Sequence, residues 1–200
     1  MIAIIDYGAG NLFSVSNALT YLDIPHIITN QVADIHSADG VILPGVGAFP
    51  EAMQRLEQTG LTGPLRQAAA EKPFLGICLG MQMLFDCSYE FSKTAGLGLI
   101  PGEVRPIVAP GLKIPHIGWN DVHIHHQTPL TAGLTEGDYV YYVHSYAAVM
   151  DEKYLVLSSD YGGPVTGLVQ FGHVYGAQFH PEKSGKVGLT ILKNFGGLVQ

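Results

Sequence analysis

Residues 73–84, PFLGICLGMQML, constrain the chain more tightly than any other stretch. Phe74, Leu75 and Ile77 read as a short strand buried on both faces, and residues 79–85 as a helix. A sharp turn at Cys78 must join the two, and Gly76 and Gly80 flank it symmetrically. Each glycine removes a Cβ where strand, turn and helix backbones converge. The pattern is that of the G-x-S-x-G nucleophile elbow, with a thiol in place of the hydroxyl. Such a turn lifts the side chain clear of the sheet. The helix start then aims amide N–H groups and a positive dipole end at the sulfur, which favours thiolate. Most unpaired cysteines are small core residues, so this feature needs support from elsewhere in the chain.

The segments before the elbow alternate between strand and helix. Residues 2–5 form an apolar run of the kind a parallel strand needs. Tyr7-Gly8-Ala9-Gly10-Asn11 then turns into a helix with Leu12, Val15, Leu19 and Leu22 at helical spacing. Its glycine pair is not a dinucleotide loop: Phe13 stands where a third glycine is required, and no ribose-binding acid ends the next strand, through Ile27 and Ile28. A strand over 40–43 delivers Pro44-Gly45-Val46-Gly47-Ala48-Phe49, and helices follow over 50–58 and 64–71. Two glycines around one residue let a backbone amide turn toward an oxyanion, although an ordinary glycine turn has the same composition. The alternation predicts an α/β fold: an open, mostly parallel sheet with helices on both faces. In such sheets the site forms from loops at the carboxyl ends of the strands, where PGVGAF and Cys78 both fall.

The second half has a different grammar. Residues 103–108, 122–125, 139–143 and 155–157 are short and strand-like, which predicts an antiparallel C-terminal section. His123 and His125 alternate as a metal pair would, but no carboxylate or cysteine completes them at a usual spacing, so a surface or partner-facing role is expected. Residues 165–170 and 174–180 read as a hairpin whose second strand runs into His180-Pro181-Glu182-Lys183. Alternation puts His180 and Glu182 on one side, so the carboxylate can accept the imidazole Nδ1–H and leave Nε2 for chemistry. A closing helix is predicted over 185–195.

With 200 residues and 47% hydrophobic content, one core and one domain over 1–200 are expected. Charged residues make up 14% and acidic ones predominate, so no basic surface marks nucleic acid or an anionic membrane as a partner. No apolar run is long enough to span a bilayer, and MIAIID is a first strand rather than a signal peptide. Two cysteines, Cys78 and Cys87, are too few for a disulfide framework, and a reduced, cytoplasmic setting is expected.

Glycine-flanked Cys78, the PGVGAF loop and HPEK at a strand end together resemble the class I glutamine amidotransferases, over essentially the whole chain. Five stretches are similar to one branch, the glutaminase subunits of imidazole glycerol phosphate synthases: YGAGN from Tyr7, PGVG from Pro44, CLGMQ from Cys78, PHIGWN from Pro115 and HPEKS from His180. The elbow and His-x-Glu mark the family, while PGVG and PHIGWN point to the branch. The resemblance implies a flavodoxin-like amidotransferase fold, with Cys78, His180 and Glu182 as the catalytic triad. The oxyanion would be held by Leu79 and the Val46–Gly47 segment, and glutamine by Gln82 with Gly45 and Gly80. It implies no metal and no cofactor. The acceptor chemistry would sit on a (β/α)₈-barrel cyclase subunit, forming a heterodimer contacted by Asn11, Trp119, Asn120, Tyr141 and Lys183. Ammonia passed to that subunit makes imidazole glycerol phosphate and an aminoimidazole carboxamide ribotide, in histidine biosynthesis. The alternatives are a stand-alone cysteine amidohydrolase, a glutaminase subunit for another synthase, or a silent regulatory module. The complete triad argues against the last, and the partner-type motifs and missing acceptor domain against the first.

Overall fold

An eight-stranded sheet runs through the centre of the computed structural model, which describes residues 1–199. Its parallel half comes from four short runs: β1 (Ile2–Ile5), β2 (His26–Thr29), β3 (Gly40–Gly45) and β4 (Phe74–Cys78). All but β2 are buried along their whole length, which is why they show no polar alternation. The next strands are β5 (Phe85–Ser88), β6 (Thr94–Ala95), β7 (Ile100–Pro106), β8 (His116–Asp121), β9 (His123–Ile124) and β10 (Tyr139–His144). β11 (Tyr146–Val149), β12 (Leu155–Asp160), β13 (Pro164–Phe171) and β14 (Val174–Ala177) complete the set. The main sheet has the order β2-β1-β3-β4-β14-β13-β12-β9. β14 pairs parallel with β4 and antiparallel with β13, so it joins the two halves.

Neighbouring residues of each buried strand feed opposite faces. Ala3, Ile5, Val41, Leu43 and Phe74 pack into one core cluster, and Ile2, Ile4, Ile42, Leu75 and Ile77 into the other. The first is covered by α2 (Val32–Ser37), α3 (Phe49–Gln58) and α4 (Thr62–Glu71), through Ile35, Leu56 and Leu65 among others. The second is covered by α1 (Leu12–Tyr21) and α6 (Gly185–Leu198), through Leu19 and Phe195. This is the expected doubly wound sheet. Strand order reverses between β1 and β3, so the loops after them face one crevice at their carboxyl ends.

Two local expectations differ from the structure, and one short helix, α2, has no counterpart among them. The helix after Cys78 is a single turn, α5 (Leu79–Gln82), and Phe85 already starts β5. The carbonyls that a longer helix would use internally are taken by a later segment: Leu97 N–H donates to Met83 O at 2.8 Å and Leu99 N–H to Leu84 O at 2.7 Å. Helix α2 has too few residues to show a period. β14 ends at Ala177, so His180 and Glu182 do not share a strand; Pro181–Lys183 form a 3₁₀ turn instead. Two smaller sheets, β10-β8 and β11-β7-β5-β6, carry much of the second half.

Candidate active site

Cys78 closes β4 and caps α5 with φ +56° and ψ −114°, a conformation L-residues rarely adopt. Such a residue costs on the order of 1–3 kcal/mol and persists only where packing imposes it. The packing here is backbone on backbone. A Cβ on Gly76 would stand 2.7 Å from Gly80 O, one on Gly45 2.6 Å from Gly80 N, and one on Gly80 1.9 Å from Leu43 O. Gly45 and Gly80, expected among the glutamine-binding residues, pack against each other where β3 meets α5 and are not among the residues that line the cavity over the elbow. Gly80→Ala is expected to destabilise the fold by about 3 kcal/mol or more, since neither backbone segment can yield. Gly63→Ala in α4, where a Cβ meets nothing within 4 Å, is the control and is expected to be neutral or slightly stabilising. Urea unfolding midpoints compare the two, and equal midpoints would refute the packing account.

A cavity of about 250 Å³ opens above the elbow, lined by Val46, Gly47, Cys78, Leu79, Gln82 and His180, among others. It thus gathers the expected nucleophile, imidazole, oxyanion segment and glutamine-binding amide. The single-turn α5 supplies less dipole than a full helix, so the Leu79 amide and His180 are the groups left to act on the sulfur. Gly47 has φ +100° with open space around it, and Val46 is exposed, so this loop is held by little besides its own backbone.

His180 Nδ1–H donates to Glu182 Oε1 at 2.8 Å, and both side chains are buried. Asn11 Nδ2–H donates to the same oxygen at 3.1 Å, while Oε2 is buried with no partner among the described residues. Burial opposes a charged His180, but the Cys78 sulfur and the Glu182 carboxylate facing the ring outweigh it and raise its pKa to about 9. Nε2 is buried and has no hydrogen-bond partner among the described residues, so it is the ring atom left free to work on the sulfur and the substrate. The turn is fixed from behind by β10: His180 N–H donates to Tyr141 O at 3.0 Å, and Ser184 Oγ links Tyr141 N–H to His180 O.

The other expected partner residues surround this turn. Trp119 lies edge-on to Tyr141 with centroids 5.9 Å apart, and Lys183 is exposed at the end of the turn. The β8–β10 register puts Ile117, Trp119, Tyr139, Tyr141 and Val143 on one outward face, and the first three are each more than half exposed. The Asn11 and Asn120 side chains are engaged inside the chain, Asn120 with Asp160 O at 2.8 Å. The histidine cluster gathers no metal set: His123 pairs with Glu136 and His125 with Ser158, and among the described residues no three His, Cys, Asp or Glu side chains could hold an ion together.

Glu90, Ser145 and Tyr146 also line the cavity, and Gln178 Nε2 lies 3.9 Å from Cys78 Sγ, although no sequence motif marks any of the four. Glu90 also accepts the first amide of α3, from Phe49, at 2.6 Å. They come from strands and loops whose register no local pattern gives. The one available signal was the spacing of Gln178 two residues before His180.

The glutamine amidotransferase class-I family model matches residues 3–197, and the chain belongs to that family. More particularly, it is 53% identical to an imidazole glycerol phosphate synthase subunit HisH of Bacillus cereus (strain G9842), over 100% of this chain and 96% of that protein. It is 52% identical to the subunit of the same name from Listeria monocytogenes serotype 4a (strain HCC23), over 98% and 94%. Among solved structures, a glutamine amidotransferase superposes with a TM-score of 0.77 at 16% identity, covering 100% of this chain and 99% of that one. PurLQS of Thermotoga maritima superposes with a TM-score of 0.73 at 20% identity, covering 100% and 98%. At those identities the structures speak for the fold alone.

Proposed function

We propose that this chain is the glutamine-hydrolysing subunit of an imidazole glycerol phosphate synthase, supplying ammonia to a (β/α)₈-barrel cyclase subunit in histidine biosynthesis. The observation that carries the reading is the Cys78–His180–Glu182 set on one cavity, in a chain that matches such subunits end to end. Cys78 thiolate attacks the side-chain amide carbon of glutamine and forms a tetrahedral oxyanion. Leu79 N–H and the Val46–Gly47 peptide are the donors for that oxygen. His180, protonated across the neutral range, gives its proton to the departing ammonia, and the thioester remains. The neutral imidazole then takes a proton from water, whose oxygen attacks the thioester and releases glutamate. Glu182 holds Nδ1–H throughout, so Nε2 is always the working atom. Gln82 and Glu90 are the groups on the wall suited to the amino-acid end of the substrate, Glu90 as counter-charge to its ammonium.

The apolar outward face of β8 and β10 supports docking of the barrel subunit beside the triad turn, with Trp119, Tyr141 and Lys183 in the contact. Two free cysteines favour a cytoplasmic location. Among the described residues no helix is long and apolar enough to cross a membrane. Glutamine hydrolysis measured with and without the barrel subunit tests the reading. Full activity alone, with no product formed in the complex, would replace it with a stand-alone amidohydrolase.

The weakly held oxyanion loop makes the isolated subunit a poor glutaminase in this reading. If its peptide N–H rests turned away, one donor is missing, worth about 3 kcal/mol or roughly a hundredfold in rate. The partner then favours the flipped peptide, a shift between two backbone states. Gly47→Ala, strained at φ +100° but free of clashes, is expected to reduce partner activation about tenfold with little change in the KM for glutamine. Steady-state kinetics in the complex checks this, and an unchanged activation ratio would count against loop control.

A further inference from the structure

Beneath the outward apolar face of β8 and β10, the same two strands turn His116 and His144 inward. Both rings are buried, and the mechanism above uses neither. His144 lines the cavity, and its Nδ1 lies 2.8 Å from Tyr146 O. A carbonyl only accepts, so Nδ1 carries the hydrogen, and in a neutral ring Nε2 is then bare. His116 Nδ1 stands 3.0 Å from that bare nitrogen and must donate to it. His116 Nε2 is therefore also bare, and it faces Asn120 Nδ2–H at 3.4 Å. Asn120 cannot reverse its amide without loss, because Nδ2 donates to Asp160 O and Oδ1 accepts from Asp121 N–H. The run from Asn120 through His116 and His144 to Tyr146 O thus has one direction, fixed at both ends.

Tyr146 O receives a second donor, Gln82 Nε2 at 3.0 Å, and the other hydrogen of that amide goes to Gln178 Oε1 at 3.0 Å. With both N–H groups engaged, Oε1 is the atom Gln82 has left for a ligand in the cavity it lines. We propose that His116 and His144 are positioning residues for glutamine: as a neutral, tautomer-locked pair they hold the Tyr146 carbonyl, and through it the amide of Gln82, with Oε1 set to accept an N–H of the substrate. The inference rests on the glutamine-hydrolysis reading above. Burial agrees with the pair's neutrality, pushing the pKa of each ring down to about 4. The ring stacking of His116 between Tyr142 and Tyr161, with centroids 4.6 and 4.0 Å away, keeps the first ring from turning.

His116→Phe keeps the stacking and deletes the donor to His144; His116→Asn restores an N–H at the Nδ1 position. In variants that still form the complex, the phenylalanine substitution is expected to raise the KM for glutamine about tenfold and change kcat less than threefold. The asparagine substitution is expected to recover most of that KM. Wild-type KM in a folded His116→Phe complex, or no recovery in His116→Asn, would overturn the proposal. Nitrogen NMR of the wild-type subunit covers the case in which the phenylalanine variant fails to fold. Both rings are expected as Nδ1–H tautomers at neutral pH, and an Nε2–H ring at either position would overturn the lock. A wild-type complex inactive on glutamine would instead defeat the functional reading, with the tautomers still readable.

Discussion

Cys78→Ala is expected to abolish glutamine hydrolysis, by on the order of 10⁴-fold or more, while leaving the fold and partner binding intact. The thiol sits at the end of β4 and lines the cavity, with long contacts to Val143 O and Gln178, each at 3.9 Å. Cys78 is buried at the edge of the second core cluster but lines the cavity, so its removal deletes the bond-forming atom and enlarges an existing cavity by one sulfur. The φ of +56° strains alanine as much as it does cysteine, so the substitution adds no backbone cost of its own. The complex made with this variant is expected to form product when ammonium salts replace glutamine. Loss of that rescue would mean that Cys78 does more than release ammonia, and unfolding of the variant would mean that the elbow depends on the thiol. Either result would change the assignment.

The elbow was legible because its demands are local. An apolar run, a cysteine and two glycines at fixed offsets specify strand, turn and helix start without reference to the rest of the chain. What the glycines touch was not legible. The clash that forbids a Cβ on Gly80 comes from Leu43 O, on a strand far earlier in sequence, so the packing demand on this glycine is a tertiary one. The His180–Glu182 contact was expected for an incorrect reason: strand alternation stops at Ala177, and a 3₁₀ turn braced by Tyr141 and Ser184 brings the groups together. Apolar residues continue past Gln82, so periodicity extends α5 to Phe85, and it cannot report that a later segment takes those carbonyls. His144, Tyr146 and Gln178 reach the site through strand pairings whose register is a tertiary property.

The second large effect is expected at His180, and the hydrogen bonds around Glu182 make it separable from the acid. His180→Ala removes the proton carrier of both half-reactions and is expected to cost on the order of 10⁴-fold in kcat. Glu182→Gln is expected to cost less. Oε1 accepts from both His180 Nδ1 and Asn11 Nδ2, so the new amide keeps its oxygen there and puts its NH₂ at the unpartnered Oε2 position. The imidazole tautomer is thereby retained and only the charge is lost. That charge is among the causes that raise His180 to about 9, so the variant's imidazole falls back toward its ordinary 6.5. The imidazolium is needed to protonate ammonia, so kcat/KM in the wild-type complex is expected to fall as pH rises through about 9. In Glu182→Gln the same limb is expected at lower pH. Stability carries the same sign. With a raised folded-state pKa, the stabilisation from charged His180 is complete below about 6.5 and is lost as pH rises toward 9. Thermal melts of the wild-type subunit are therefore expected to decline across that window, and melts of Glu182→Gln to decline less. An alkaline limb that stays in place in Glu182→Gln would show that the carboxylate does not set the imidazole's proton affinity. Equal losses of kcat in both variants would show that the charge and the proton carrier act as one unit.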